Sequence, residues 1–322
     1  MPVYYALLLR FYCLILVASV LCLNGCANGL VPSGSPMHFI EIPSGSSSTP
    51  SSSSSSPPLL FLHGLFGSSR TFVPLLHSLS SLSSLQGRKL YAVDLANHGS
   101  HARTKLWRPS MSYPSMCADV MSFLDWLAVP CADVVGHSMG GKVAMALAMS
   151  GKGQERVRSL SVLDIAPVDY RSEKDGEPSV YGAHRAMIDV LRLAPFAGMT
   201  SKKEADEYLR TSVPNDAIRA FLLTNVEKHG GSLRLKVNIE SIAAQFDSIS
   251  NFEAEPYATS FEGRTLFING ENSKFVLPKY HDTMRSFFPN HQRVTLQGAG
   301  HWLLSKQQLV DELERFWISV KS

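Results

Sequence analysis

The sequence predicts an α/β fold, a mostly parallel twisted sheet with helices on both faces and a helical insertion, and three observations point to it. From Met37 onward, short apolar runs fit for buried strands alternate with stretches of helical spacing. Between Pro167 and Gly263 the strand runs stop and only helical stretches are read. At one strand-to-helix corner stands Gly136-His137-Ser138-Met139-Gly140-Gly141-Lys142, the pattern of a nucleophile elbow.

In chain order, Val3 to Leu23 is almost continuously apolar and is broken only by Arg10; Asn24 to Asn28 follow as a small, polar exit. Residues 1–36 read as a targeting or anchor segment, with membrane association through residues 3–23. Its uncharged stretch after Arg10 is about thirteen residues, which suits a signal peptide better than a membrane span. His38 to Ile42 alternates like an edge strand. Residues 44–58, rich in Ser and Pro, have almost nothing to bury and read as a disordered loop. Strands follow at Leu59–His63 and Lys89–Leu95, with helices at Ser69–Leu79 and Tyr113–Val129. The elbow lies between a strand at Cys131–Val135 and an Ala/Met/Leu helix at Val143–Met149, and Ser159–Ile165 is the next strand. Helical stretches at Ala183–Leu193, Lys202–Thr211 and Asp216–His229 make residues 167–262 a cap. Arg264–Asn269 resumes the sheet; a helix at Pro278–Phe288, a strand at Arg293–Gln297 and a helix at Gln307–Val320 close it. The core is therefore expected in residues 37–166 and 263–322.

Composition narrows the function. A net charge of +3 over 322 residues, without a basic stripe, argues against nucleic acid. Of five cysteines only Cys117 and Cys131 fall in the core, so neither a disulfide framework nor zinc spacing is present, and no metal or cofactor is expected.

The chemistry is read from strand ends. A serine in a tight turn needs glycine two residues before and after it, where strand and helix backbones pass closely. Ser138 is therefore the candidate nucleophile, and the Met139 amide at the helix start the candidate oxyanion donor. A second donor is expected after the second strand, in His63-Gly64-Leu65-Phe66-Gly67, from the amide of Leu65 or Phe66, with His63 holding the loop. His301, in Gly298-Ala299-Gly300-His301-Trp302 after the last strand, is the candidate base. The acid is less direct. The strand after the cap runs into Gly270-Glu271-Asn272-Ser273, with serine where an aspartate is usual. Asp164, which closes the strand beside the elbow strand, is the preferred acid; Glu271 and Glu240 are the alternatives, with Asp247 behind them. Asp94 and Asp169 are expected to tie loops. Phe196, Met199 and Phe221 are candidate walls of an acyl pocket, with the cap's own core as their other place.

These residues together resemble the α/β-hydrolase superfamily, and more narrowly the branch of the YbfF-type esterases and abhydrolase domain-containing protein 11. The resemblance rests on His63-Gly64-Leu65-Phe66-Gly67-Ser68, Asp94-Leu95-Ala96-Asn97-His98-Gly99-Ser100, the elbow, Lys236-Val237-Asn238 and the last glycine-rich loop. Its specific part is Asp164-Ile165-Ala166-Pro167-Val168-Asp169-Tyr170. It implies an α/β-hydrolase fold, Asp164 as the acid, and metal-free cleavage of small to medium acyl esters or thioesters through an acyl-enzyme. An acyltransferase would use the same residues. A non-catalytic ligand-binding protein of this fold is the reading from another class, and the presence of both Ser138 and His301 speaks against it. Location is read as secretory, endomembrane or membrane-anchored from the apolar segment, with an organelle (mitochondrion or plastid) as the alternative from the resemblance.

Overall fold

The computed structural model of the chain describes residues 34–43, 56–99, 110–172, 179–252 and 260–319. Its strands are β1 (Phe39–Pro43), β2 (Leu59–Leu62), β3 (Lys89–Val93), β4 (Ala132–His137), β5 (Val157–Leu163), β6 (Val226–His229), β7 (Ser232–Leu235), β8 (Arg264–Gly270) and β9 (His291–Leu296). Seven of them form one sheet in the order β1-β3-β2-β4-β5-β8-β9. Only β1 runs antiparallel to its neighbour; the other pairs are parallel. Burial follows from this placement. Helices cover both faces of β2 and β4, which are buried at every position, whereas β1 at the edge is half-exposed. Because the central strands are parallel, their carboxyl ends emerge along one edge, and the loops that leave them can converge there.

The helices are α1 (Val73–Ser80), α2 (Tyr113–Trp126), α3 (Met139–Met149), α4 (Val180–Leu193), α5 (Lys202–Arg210), α6 (Asp216–Leu222), α7 (Ile239–Ser250), α8 (His281–Phe287) and α9 (Gln307–Ile318). Ser112 caps α2 by accepting a hydrogen bond from the Ser115 amide, and a proline follows in the first turn. On one face of the sheet Met116, Val120 and Phe123 of α2 pack with Val143 and Leu147 of α3. On the other, Leu75, Leu76 and Leu79 of α1 pack with Leu309, Leu313 and Phe316 of α9. Each such side chain contributes about 1.5–3 kcal/mol by leaving water. The α3 helix is buried all round, which its small and apolar sequence permits.

Between β5 and β8 the chain leaves the sheet and builds α4 to α7. Here one expectation is corrected, because the helix read over Asp216–His229 stops at Leu222 and the segment continues into a β6–β7 hairpin. Gly230 and Gly231 have φ of 57° and 88° and join the strands by a two-residue turn that needs both residues in the left-handed region. Cross-strand Glu227 and Arg234 pair at 2.9 Å, and Val226 and Leu233 turn inward. The insertion is thus mostly, not wholly, helical.

The expected location is also corrected. Among the described residues no helix is long and apolar enough to cross a membrane. Residues 3–23, to which secretory, endomembrane or anchored placement is attached, lie outside the described residues, as do 44–55 of the Ser/Pro tract. Neither that placement nor the organellar alternative has support among the described residues.

Candidate active site

Ser138 links β4 directly to α3. Its backbone takes φ 52° and ψ −121°, a conformation that lifts the side chain off the sheet edge. Ser138 N–H donates to Leu163 O at 3.0 Å, and its carbonyl accepts from the Gly141 amide at 2.8 Å. The flanking glycines are required by space. A Cβ on Gly136 would stand 2.3 Å from Gly140 O, and one on Gly140 2.2 Å from Leu62 O. Ser138 itself is only 7% exposed.

Asp164 follows β5 and also takes a positive φ, 54°, held by its N–H donating to Ile268 O at 2.8 Å. Its carboxylate is fully buried and has three donors. His301 Nδ1 lies 2.7 Å from Oδ2, the Gly270 amide donates to Oδ1 at 2.9 Å, and Ser273 Oγ donates to Oδ2. With Nδ1 engaged by the carboxylate, the other ring nitrogen of His301 is the one left for chemistry. The ring lies flat on Phe275, with centroids 3.8 Å apart and planes 16° apart. Phe275 is held in turn, since its carbonyl accepts from Tyr170 Oη, which also accepts from the Ala166 amide at 3.0 Å. On its other side His301 presents its carbonyl to His137 Nε2 at 3.0 Å, so that nitrogen carries a proton. Burial, with the nearby His301 ring adding to it, pushes His137 down to about 3. It is a neutral donor.

The loop after β2 is closed by the Gly67 amide on Gly64 O at 2.9 Å, with Leu65 and Phe66 at the corner and Phe66 at φ 62°. His63 holds this loop. Its Nδ1 donates to Gly64 O at 2.9 Å, and its Nε2 accepts from the Leu95 amide at 2.9 Å. That fixes a neutral tautomer, and burial lowers the pKa of the ring accordingly. From the insertion, the buried Asn225 donates to Phe66 O at 2.8 Å. Asp94 accepts from the Ser69 amide at 2.7 Å, and Asp169 pairs with Arg171 at 2.8 Å, so both tie loops.

The alternative acids stand elsewhere. Glu240, on α7 and 64% exposed in its side chain, pairs with Arg192 at 2.8 Å. Glu271 accepts from the Gly298 amide at 2.8 Å, and Asp247 from Tyr181 Oη at 2.7 Å. Two cavities open onto Ser138. One is lined by Met139, Ile165, Tyr170, Phe246, Ile249 and Phe275 among others, the second by Phe66, Met187, Phe221, Leu222, His301 and Trp302. Of the expected pocket walls, Phe221 lines the second of these two cavities, against Trp302 at 4.1 Å between centroids; Phe196 and Met199 line neither and are buried in the apolar core. Lys142, buried in α3, donates to Val168 O, Ser250 O and Asn251 O at 2.9, 2.8 and 3.2 Å. Burial lowers its pKa well below the usual lysine value. His137, Lys142 and Tyr170 stand inside the quoted motifs without a role of their own being legible there, whereas Phe275 and Asn225 carry no motif or spacing signal that would mark them as part of a site. Among the described residues no group of three or more His, Cys, Asp or Glu is arranged to hold a metal ion.

A family model described as the alpha/beta hydrolase fold matches residues 57–306. The sn-1-specific diacylglycerol lipase ABHD11 of Mus musculus is 36% identical over 263 residues, 80% of each chain. The esterase YbfF of Escherichia coli is 30% identical over 76% of this chain and 86% of its own. Among solved structures, a marine microorganism esterase superposes with a TM-score of 0.75 at 28% identity, covering 87% of this chain and 98% of the other.

Proposed function

This chain belongs to the α/β-hydrolase family, in the branch of ABHD11 and YbfF, and we propose on that footing that it is a serine ester hydrolase acting through Ser138, His301 and Asp164. The observation that carries the reading is the 2.7 Å contact between His301 Nδ1 and the buried Asp164 carboxylate, at the sheet edge where Ser138 is held at φ 52°.

Ser138 Oγ attacks the acyl carbonyl while His301 Nε2 takes its proton. Asp164 keeps the imidazole in the right tautomer and stabilises the imidazolium by charge, while Ser273 and the Gly270 amide fix the carboxylate. The oxyanion is received by the Met139 amide and by the amide of Leu65 or Phe66. Collapse of this intermediate breaks the bond to the alcohol or thiol, which leaves with the proton from His301. Water, deprotonated by the same ring, then releases the acid and restores Ser138. Residues 167–262 serve as the cap over the acyl chain, and the substrate is a small-molecule acyl ester or thioester of small to medium chain length.

The test is labelling of the purified protein by a fluorophosphonate, followed by p-nitrophenyl esters of increasing chain length. Both labelling and turnover are expected to vanish in Ser138→Ala. A folded parent protein that neither labels nor turns over would instead favour a ligand-binding member of the family.

A further inference from the structure

The linings of the two cavities at Ser138 share Leu65, Ser138 and His184. His301 lines only the second of them. In the serine hydrolase reading above, on which this inference rests, the leaving group takes its proton from His301. The alcohol or thiol therefore occupies the second cavity, and the acyl chain lies in the first, between Ile249, Phe246 and Phe275. His184, like Ser138, lines both.

The ring of His184 is set up as an acceptor. Its Nδ1 lies 2.9 Å from Val180 O, one turn back in α4; a carbonyl only accepts, so the proton is on Nδ1 and Nε2 carries a lone pair. Burial, with His301 adding to it, pushes the ring down to about 4, so it is neutral near pH 7. Among the described residues no group donates to Nε2. Of the other polar side chains of the first cavity, Lys142 is engaged on three carbonyls, Tyr170 on the Phe275 carbonyl and Tyr181 on Asp247, Ser138 is the nucleophile, and the Ser250 hydroxyl lines the same cavity.

We propose that His184 is a specificity-determining residue whose Nε2 accepts a hydrogen bond from a hydroxyl within about two carbons of the scissile ester, and that esters carrying such a hydroxyl are preferred. Apolar walls discriminate weakly between chains, whereas an acceptor left unpaired by the wrong substrate discriminates strongly. The hydroxyl can come from either side of the ester, because His184 borders both cavities.

The experiment measures kcat/KM of the full-length protein on two matched pairs: hydroxyethyl butyrate against ethyl butyrate, and methyl β-hydroxybutyrate against methyl butyrate. The parent is expected to favour the hydroxylated member of at least one pair by about tenfold. The pair that shows the preference identifies the alcohol side or the acyl side as its source. His184→Phe keeps a ring against Phe275 without the acceptor and should bring that ratio to about one; His184→Gln, whose amide oxygen accepts, should restore part of it. Labelling rate and melting temperature of each variant normalise for a damaged fold, which lowers both members of a pair alike. Absence of preference in both pairs, or a preference that survives His184→Phe, overturns the proposal. A parent that neither labels with fluorophosphonate nor cleaves any of the four esters overturns the hydrolase reading itself, and this inference with it.

Discussion

At the scale of single residues, the acid is the member of the site on which sequence and structure meet least directly. Ser138 and His301 are visible in the sequence because each lies in a local motif whose glycines the turn demands. Asp164 is visible as a strand end and through the family resemblance of the Asp164–Tyr170 stretch, with no turn motif of its own. Its positive φ, and its contacts to Gly270 and Ser273, depend on chain more than a hundred residues away. The serine at the usual acid position has kept a place in the same hydrogen-bond network, donating to the carboxylate that comes from the neighbouring strand. Asp164→Asn should lower kcat by roughly 10³- to 10⁴-fold, because an amide neither holds the tautomer nor stabilises the imidazolium. Glu240→Gln should stay within about twofold, as an exposed pair with Arg192 is worth little. Esterase kinetics on the two variants decide between them, and activity retained in Asp164→Asn with loss in Glu240→Gln would reverse the assignment.

At the scale of elements, periodicity reveals the strands and helices of the sheet because each has one consistent environment. It fails at the β6–β7 hairpin, where four-residue strands are too short to establish a period and a helical pattern runs into them; the Gly230-Gly231 pair was the available signal. It also gives no sign of how the insertion is tied down. Lys142 reaches from α3 to the carbonyl of Val168, where the chain leaves the sheet, and to those of Ser250 and Asn251, where it comes back at the end of α7. One side chain therefore fastens both stems of the insertion to the helix that begins at Ser138. Lys142→Met keeps much of the packing but strands these carbonyls without a donor. We expect a loss of roughly 2–4 kcal/mol in urea unfolding, read as a lower midpoint at unchanged slope. A midpoint equal to the parent's would mean that water or rearranged backbone satisfies the carbonyls and that the lysine is not the fastening.

At the scale of the whole molecule, folding closes imidazoles into neutral positions around the site. His63 has its pKa lowered by burial, His137 is pushed to about 3 and His184 to about 4. In the unfolded chain each titrates near 6.5. Between 6.5 and the folded value the unfolded state binds the extra proton, so unfolding free energy rises with pH across that window and falls on acidification. The stability these rings permit is thus fully present above about pH 6.5 and declines below it, with the window for His184 ending near pH 4. Carboxylates add their own losses lower in pH, so the comparison has to isolate one ring. His184→Phe removes one proton-linked group while keeping an aromatic ring in the same cavity. Between pH 6 and pH 5 its unfolding free energy should decline less steeply than the parent's, by about 1 kcal/mol per pH unit. Urea unfolding at these two values measures the difference. Equal slopes would show that His184 takes up its proton inside the folded protein over this range, so that its Nε2 would serve as an acceptor only above the pH at which the folded ring titrates.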